Sequence, residues 1–393
     1  MSSDPVVIVS AKRTPIGAFQ GVLAGAPAPD LGAAAIAGVI ADCGIDAADV
    51  DQVLMGCVLP AGLGQAPARQ AAIKAGIPVG AACTTVNKMC GSAMMTIMLG
   101  HDLLIAESAS VVVAGGLESM SNSPYLLPKA RRGYRMGHQE VLDHMFYDGL
   151  QDPWQGLMMG HFADHTAAKY SFSREDQDAF AIESVTRAQA AVADGTFSAE
   201  ISPVAVKTRK GDVTVDKDET PGAVNVDKIP ALRPAFSKDG TVTAATSSSI
   251  SDGAAATLLM TASEAESRGI KPLARLVGHS SFAQEPALFT TAPVSAIKNL
   301  HDKLGWSPYN VDLYEINEAF AVVTMAAMHD VGLDHSKVNV NGGACAMGHP
   351  IGATGARITT TLLYALKARN LKRGIASLCI GGGEAVAIGV ELI

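Results

Sequence analysis

The chain reads as an α/β protein of two similar halves with a segment inserted between them. Three observations lead there. Extended apolar stretches alternate with Ala-rich helical ones, the pattern of strand–helix–strand units. The order of those stretches repeats once along the chain, and a repeat that long predicts two similar domains packed together. Hydrophobic residues make up 48% of the 393 and charged ones 17%, with 39 glycines, enough for a large core and many tight strand–helix turns.

Taken in order, the first half opens with a strand at 5–10 and the second with one at 273–279. Each continues into an Ala-rich helix, at 31–42 and 292–304. Each then has a strand beginning Val-Asp, at 50–55 and 311–316, and a second helix, at 66–75 and 320–331. A third strand ends in a Val-Asn pair, Val86-Asn87 and Val340-Asn341. A helix follows, at 93–106 in the first half, and then a strand that runs into glycines, at 111–116 and 375–383. This alternation predicts mainly parallel sheet. The stretch 121–251 fits neither half. It is richer in charge, and its one clear helix, 173–193, has Ser173 as N-cap with Glu175-Asp176 in the first turn. Residues 204–230 read as short strands and turns. The expected units are therefore 1–120 plus 252–271, an inserted loop domain at 121–251, and 272–393.

Composition excludes several classes. The net charge is −8 and no basic cluster runs long, which argues against nucleic acid; Lys129-Ala130-Arg131-Arg132 is a local patch. No apolar run approaches the ~20 residues of a membrane helix. Residues 1–5 pass straight into a strand and the chain closes on Glu391-Leu392-Ile393, so neither a leader nor a peroxisomal tripeptide is expected. Six cysteines without CxxC fit a reducing compartment, hence the cytoplasm. Cys345 and His349 form a C-x3-H pair, but no second pair accompanies it, so no metal site is expected. The Gly381-Gly382-Gly383 run lacks the pattern of a dinucleotide loop, so no nucleotide cofactor is expected either.

Cys90 stands between the Val86-Asn87 strand and a helix that is apolar almost all round and therefore interior. Free amides and the helix dipole at such a start favour a thiolate and are expected to lower the pKa of Cys90. Gly91 lets another backbone or a ligand approach. On this stretch alone a core cysteine remains an equal reading, since free Cys is among the most buried residue types. Three further stretches stand at equivalent strand ends: Asn317-Glu318-Ala319-Phe320, the loop from Asn341 to Gly355 that carries His349, and Cys379-Ile380-Gly381-Gly382-Gly383. Ligands of open α/β sheets gather beyond the carboxyl ends of strands, so all four face one crevice. Cys with His is a nucleophile with its base. Cys379 adds a second thiol as acid or base, and the glycine amides beside it can form an oxyanion hole.

These stretches, with Gly62-Leu63-Gly64-Gln65-Ala66-Pro67-Ala68-Arg69-Gln70 and Ser251-Asp252-Gly253-Ala254-Ala255, resemble the signature blocks of the thiolases, and the similarity runs from Val6 to the C-terminus. The resemblance implies the thiolase fold, a layered αβαβα core with an inserted loop domain, assembled as a homodimer or homotetramer. It implies an acyltransferase that condenses two acetyl-CoA to acetoacetyl-CoA and CoA, or cleaves 3-ketoacyl-CoA, with CoA thioesters as substrates and no cofactor. Cys90 would carry the acyl group, with His349 taking its proton. Cys379 would move a proton on the acetyl Cα or the leaving enolate. Asn317 would hold a water that binds one thioester oxygen together with His349, and the Cys90 and Gly381 amides would bind the other. Ser248 would meet the pantetheine arm, and Leu150, Met159, Phe236, Phe289 and Phe320 would wall the pocket. Two departures touch CoA contacts and acyl specificity: Met158 precedes Met159 where many relatives have histidine, and residues 243–250 lack an asparagine. The alternatives are a longer-chain 3-ketoacyl-CoA thiolase of fatty-acid breakdown, a carrier-protein-dependent condensing enzyme, which usually lacks the second cysteine, and a non-catalytic lipid-binding relative, which would be expected to have lost Cys90, His349 or Cys379.

Overall fold

The computed structural model describes residues 4–209 and 211–393. Residues 1–3, part of the lead-in expected to carry no targeting signal, lie outside the described residues. The first half runs β1 (Val6–Arg13), α1 (Ala28–Cys43), β2 (Gln52–Gly56), α2 (Pro67–Lys74), β3 (Ala82–Val86), α3 (Ser92–Ile105) and β4 (Val111–Ser119). The inserted segment contributes α4 (Met159–Tyr170) and α5 (Arg174–Ala193). β5 (Ser251–Thr261) returns to the first half. The second half is β6 (Ala274–Ala283), α6 (Ala292–Leu304), β7 (Leu313–Ile316), α7 (Ala321–Val331), α8 (Thr354–Ala368), β8 (Arg373–Ile380) and β9 (Glu384–Leu392).

Among the described residues, these strands and the two-residue strand Gly17–Ala18 form one ten-stranded sheet, in the order β7-β8-β9-β6-β1-β5-β4-β2-β3. The expectation of mainly parallel pairing is corrected. Only β2–β3, β2–β4 and β7–β8 are parallel. β5 runs antiparallel between β1 and β4, and β9 antiparallel between β6 and β8. Both closing strands escape the periodicity. β5 carries Gly253 and three consecutive alanines, poor strand formers, yet is buried on both faces; β9 follows three glycines that look like an ending. The two halves meet where Val7 pairs with Arg275 and Ile8 with Ala274.

The repeat also breaks at Val340-Asn341, where no strand forms. Val338 makes only an isolated bridge to Tyr314. Beyond it the Asn339 side chain takes the place of a strand neighbour: its Oδ1 accepts from the Ile316 amide at 2.8 Å and its Nδ2 donates to the Ile316 carbonyl at 2.8 Å.

Three apolar clusters define the layers. α1 and α2 pack Leu31, Ile36, Val39 and Ala71 on one face of the first half. α3 and α8 share the interior between the halves, with Met94, Ile97, Ile358 and Leu362. α6 packs Ile297 and Leu300, and α7 packs Ala327, on the far face of the second half. The order is αβαβα.

In the inserted segment, Ser173 caps α5 as expected. Its Oγ accepts from the Asp176 amide at 3.1 Å, and Asp176 Oδ2 accepts from the Ser173 amide at 3.0 Å. Residues 204–230 hold a short antiparallel pair, Val204–Thr208 with Gly211–Val215, and helical turns. The segment is anchored through fully buried Arg13 on β1. Its guanidinium donates to Glu200 at 2.5 Å and to both Asp218 oxygens at 2.7 and 2.8 Å. Replacing Arg13 with Met leaves two buried carboxylates uncompensated and is expected to cost about 3–5 kcal/mol. Guanidinium unfolding reads this as a lower midpoint; an unchanged midpoint would contradict the anchoring role.

Candidate active site

Cys90 sits on a tight turn between β3 and α3. Met89 before it has a left-handed backbone, φ 48°, a conformation that needs support in a residue with a side chain. Neighbouring side chains supply it. Asn87 Oδ1 accepts from the Met89 amide at 3.0 Å, and Ser92 Oγ accepts from the Lys88 amide at 2.8 Å while donating to the Met89 carbonyl at 2.6 Å. Gly91 admits the end of β8 as the sequence implied: a Cβ there would lie 2.4 Å from Ile380 Cδ1. That approach brings Cys379 and Gly381, the neighbours of Ile380, to Cys90.

The Gly381 amide and the amide of Cys90 itself reach the Cys90 sulfur and favour the thiolate, but burial dominates and pushes the thiol up to about 11. The expectation of a lowered pKa is thus corrected. Cys90 packs on the cluster of Val58, Leu59, Met145 and Ile351, and this apolar wall outweighs the amides. Burial, with Cys90 nearby, also raises Cys379 well above the ordinary thiol range. Both sulfurs rest as thiols.

His349 is buried, its Nδ1 2.6 Å from Thr354 Oγ1. That hydroxyl donates its single proton to the Pro350 carbonyl at 2.9 Å. Nδ1 therefore carries the ring hydrogen, and Nε2, which has no hydrogen bond within the protein, is the bare base nitrogen. Burial, helped by the Arg357 guanidinium, holds the pKa down to about 3, so the ring is neutral. The loop reaches the start of α3 because Gly355 packs directly on Met94, where a Cβ would lie 2.3 Å from the Met94 amide nitrogen. Glu118, at the end of β4, buckles this loop down. It accepts from the amides of Val58 at 3.0 Å, Leu59 at 3.2 Å and Gly352 at 2.9 Å, and burial raises its pKa to about 7. Replacing Thr354 with Val leaves the Nδ1 hydrogen unpaired and the tautomer unspecified. The expected result is a kcat lower by about 10² with KM little changed; a wild-type kcat would contradict the orienting role.

Asn317 lies at the end of β7, 1% exposed, and neither side-chain amide atom has a hydrogen-bond partner. Its neighbour Glu318 ties the inserted segment to the site, accepting from Ser184 Oγ at 2.7 Å, Asn339 Nδ2 at 2.8 Å and the Cys345 amide at 3.1 Å. The amide of Ser248 donates to the Ala319 carbonyl at 3.0 Å. Cys379 shares one apolar cluster with Met159, Phe236, Phe289 and Phe320, whose rings meet edge to face at 5.9 Å (Phe236–Phe320) and 6.5 Å (Phe289–Phe320). Leu150 stands on the Cys90 side. The fold thus brings Cys90, Cys379 and Gly381 together, with Leu150 in the apolar cluster at Cys90 and Met159, Phe236, Phe289 and Phe320 in the cluster at Cys379, and with His349, Asn317 and Ser248 on loops. Two clefts elsewhere, of about 690 and 430 Å³, contain none of them. Sequence reasoning missed Glu118 and Thr354. Glu118 had a signal, a lone carboxylate ending an otherwise apolar strand; Thr354 lay unremarked in the glycine-rich loop.

Residues 6–263 match the thiolase N-terminal domain and residues 270–392 the thiolase C-terminal domain. The chain is 50% identical over 385 residues to an acetyl-CoA acetyltransferase of Pseudomonas aeruginosa, covering 98% of each chain. It is 48% identical over 392 residues to one of Rhizobium meliloti, covering 100% of each. The crystal structure of the Bacillus anthracis acetyl-CoA acetyltransferase superposes with a TM-score of 0.97 at 40% identity, covering 99% of each chain. The gathered cysteines, the buckled histidine loop and these full-length matches together establish that the chain belongs to the thiolase family and has the thiolase fold.

Proposed function

We propose that this chain interconverts two acetyl-CoA with acetoacetyl-CoA and CoA through an acetyl-cysteine. The observation that carries the reading is the meeting of two thiols, Cys90 and Cys379, beside the Gly381 amide, with the bare Nε2 of His349 on the adjoining loop. In the thiolysis direction, His349 takes the Cys90 proton as the sulfur attacks the 3-keto carbon. The C2–C3 bond breaks, its electrons pass into the acetyl-CoA enolate, and the Cys379 thiol protonates C2. Cys379, now a thiolate, regains a proton from solvent, and CoA enters as its thiolate. The CoA sulfur attacks the acetyl group on Cys90, and His349 returns its proton to the freed Cys90. Burial keeps the Cys379 thiol protonated, so its proton is available for the first role. The Cys90 and Gly381 amides would receive one developing oxyanion; Asn317, through a water, and His349 would receive the thioester oxygen.

Met159, Phe236, Phe289 and Phe320 close on Cys379, which favours a short acyl group. The matched relatives named for acetyl-CoA support the same choice. The expected result of a thiolysis panel is a kcat/KM for acetoacetyl-CoA at least about tenfold above that for a ten-carbon 3-ketoacyl-CoA, the scale one or two pocket contacts provide. The opposite order would assign a longer-chain thiolase of fatty acid metabolism. The reading requires no cofactor and neither nucleic acid nor membrane as a partner; no helix among the described residues is long and apolar enough to cross a bilayer. A cytoplasmic setting is supported by cysteines that stand free. A homo-oligomer, dimer or tetramer, is supported by the uncovered edge strand β3 and by exposed Tyr125, Leu127 and Tyr147 on the inserted segment.

A further inference from the structure

Away from Cys90, three ligand-type side chains meet where the two halves join. His101 and Asp102 are neighbours on α3, and His279 lies on β6. Nδ1 of His101 is 2.9 Å and Nε2 of His279 is 3.0 Å from the same oxygen, Asp102 Oδ1. One ligand atom from each of the three lies within 4.8 Å of the other two. The rings stand edge to face with centroids 5.2 Å apart. The imidazoles are 18% and 17% exposed and the carboxylate 57%, so the rings are held by packing and the carboxylate reaches solvent.

We propose that His101, Asp102 and His279 bind one late first-row divalent cation of the Zn²⁺ or Co²⁺ type, clamping α3, the helix that follows the Cys90 turn, to a strand of the second half. Two imidazoles with one carboxylate suit these ions rather than Mg²⁺ or Ca²⁺, and three protein ligands with a water complete a tetrahedral site. Metal–ligand bonds of about 2.0–2.2 Å place donors roughly 3.3–3.6 Å apart. The two hydrogen-bonded pairs need to open by only about half an ångström to reach that spacing. The ion takes the place of the two hydrogens shared with Asp102 Oδ1, each ring nitrogen turning its lone pair to the metal. Lys303 is the opposing charge nearby, but its ammonium is engaged by the His279 carbonyl at 3.0 Å. Local spacing could not show this site, because His279 is 177 residues from Asp102.

The test is titration of the chelator-treated full-length chain with Co²⁺, followed by visible absorption, and with Zn²⁺, followed by calorimetry and thermal melting. The expected result is one equivalent per chain with nitrogen–oxygen ligand-field bands, no thiolate-to-cobalt charge transfer, and a raised Tm. His101→Gln and His279→Gln should each weaken binding by about 10–100-fold or more. Thiolysis should be the same with and without chelator, and wild-type thiolysis by both variants shows that they fold. Cu²⁺ bound to the unaltered chain should show two nitrogen ligands by electron paramagnetic resonance, a readout that needs no variant. Absence of binding, binding unchanged in both variants, or cobalt bands of thiolate type alone would overturn the site.

Discussion

Replacing Cys90 with alanine is expected to abolish both acetyl transfer from acetyl-CoA and thiolysis of acetoacetyl-CoA. The loss should approach the roughly 10⁶ in kcat seen when a covalent nucleophile is removed. The reason is positional as well as chemical. Cys90 is the sulfur that the Gly381 amide reaches, and the turn that presents it is held by Asn87 and Ser92. Cys379 cannot take over, because it is buried among Phe289, Phe320 and Val323 with its pKa raised well above the ordinary thiol value. Alanine removes one sulfur from a half-buried position and leaves the turn's hydrogen bonds intact, so the variant should fold. A folded Cys90→Ala chain that still exchanged acetyl between acetyl-CoA and CoA would contradict the assignment.

Replacing Cys379 with serine is expected to separate the two half-reactions. A serine hydroxyl is a far weaker acid than a thiol, whose unperturbed pKa is near ~8.5. General acid–base help of this kind is worth ~10²–10⁴ in rate. Condensation and thiolysis should slow by about that factor, because each passes through a carbanion at the acetyl Cα. Acetylation of Cys90 by acetyl-CoA should persist, because CoA leaves as a thiolate and no carbon–carbon bond breaks. His349→Ala should impair both steps, since it removes Nε2, the unpartnered nitrogen proposed as the base for Cys90. Radiolabelled acetyl transfer measured beside the thiolysis rate distinguishes these outcomes. Near wild-type thiolysis by Cys379→Ser, or failure of the folded variant to be acetylated, would overturn the division of labour.

Much of the fold was legible because its periodicity is local. The helix predicted at 292–304 is observed over those residues, and Ser173 forms the cap its sequence implies. What was not legible depends on pairing at a distance. β5 is read poorly because Ala254, Ala255 and Ala256 have little strand preference of their own; they are held by β1 and β4 on either side. The strand expected at Val340 is lost to an asparagine whose side chain does the same pairing. In the site, the residues assigned the chemistry stood out by type and by glycine-rich surroundings. Their protonation did not. A helix start argues for a thiolate, yet the apolar wall from Val58 to Ile351 reverses the sign, which only packing reveals. Glu118 is hidden similarly: its role lies in three amides that the chain delivers from positions 58, 59 and 352.

The most direct test of the account is the identity of the acylated atom. The wild-type chain, incubated briefly with acetyl-CoA, quenched in acid and digested, should yield a peptide carrying acetyl on Cys90, discharged when CoA is added before the quench. Acetyl found on Cys379 or Cys345 instead, or no acetylated cysteine in a chain that turns over acetoacetyl-CoA, would contradict it.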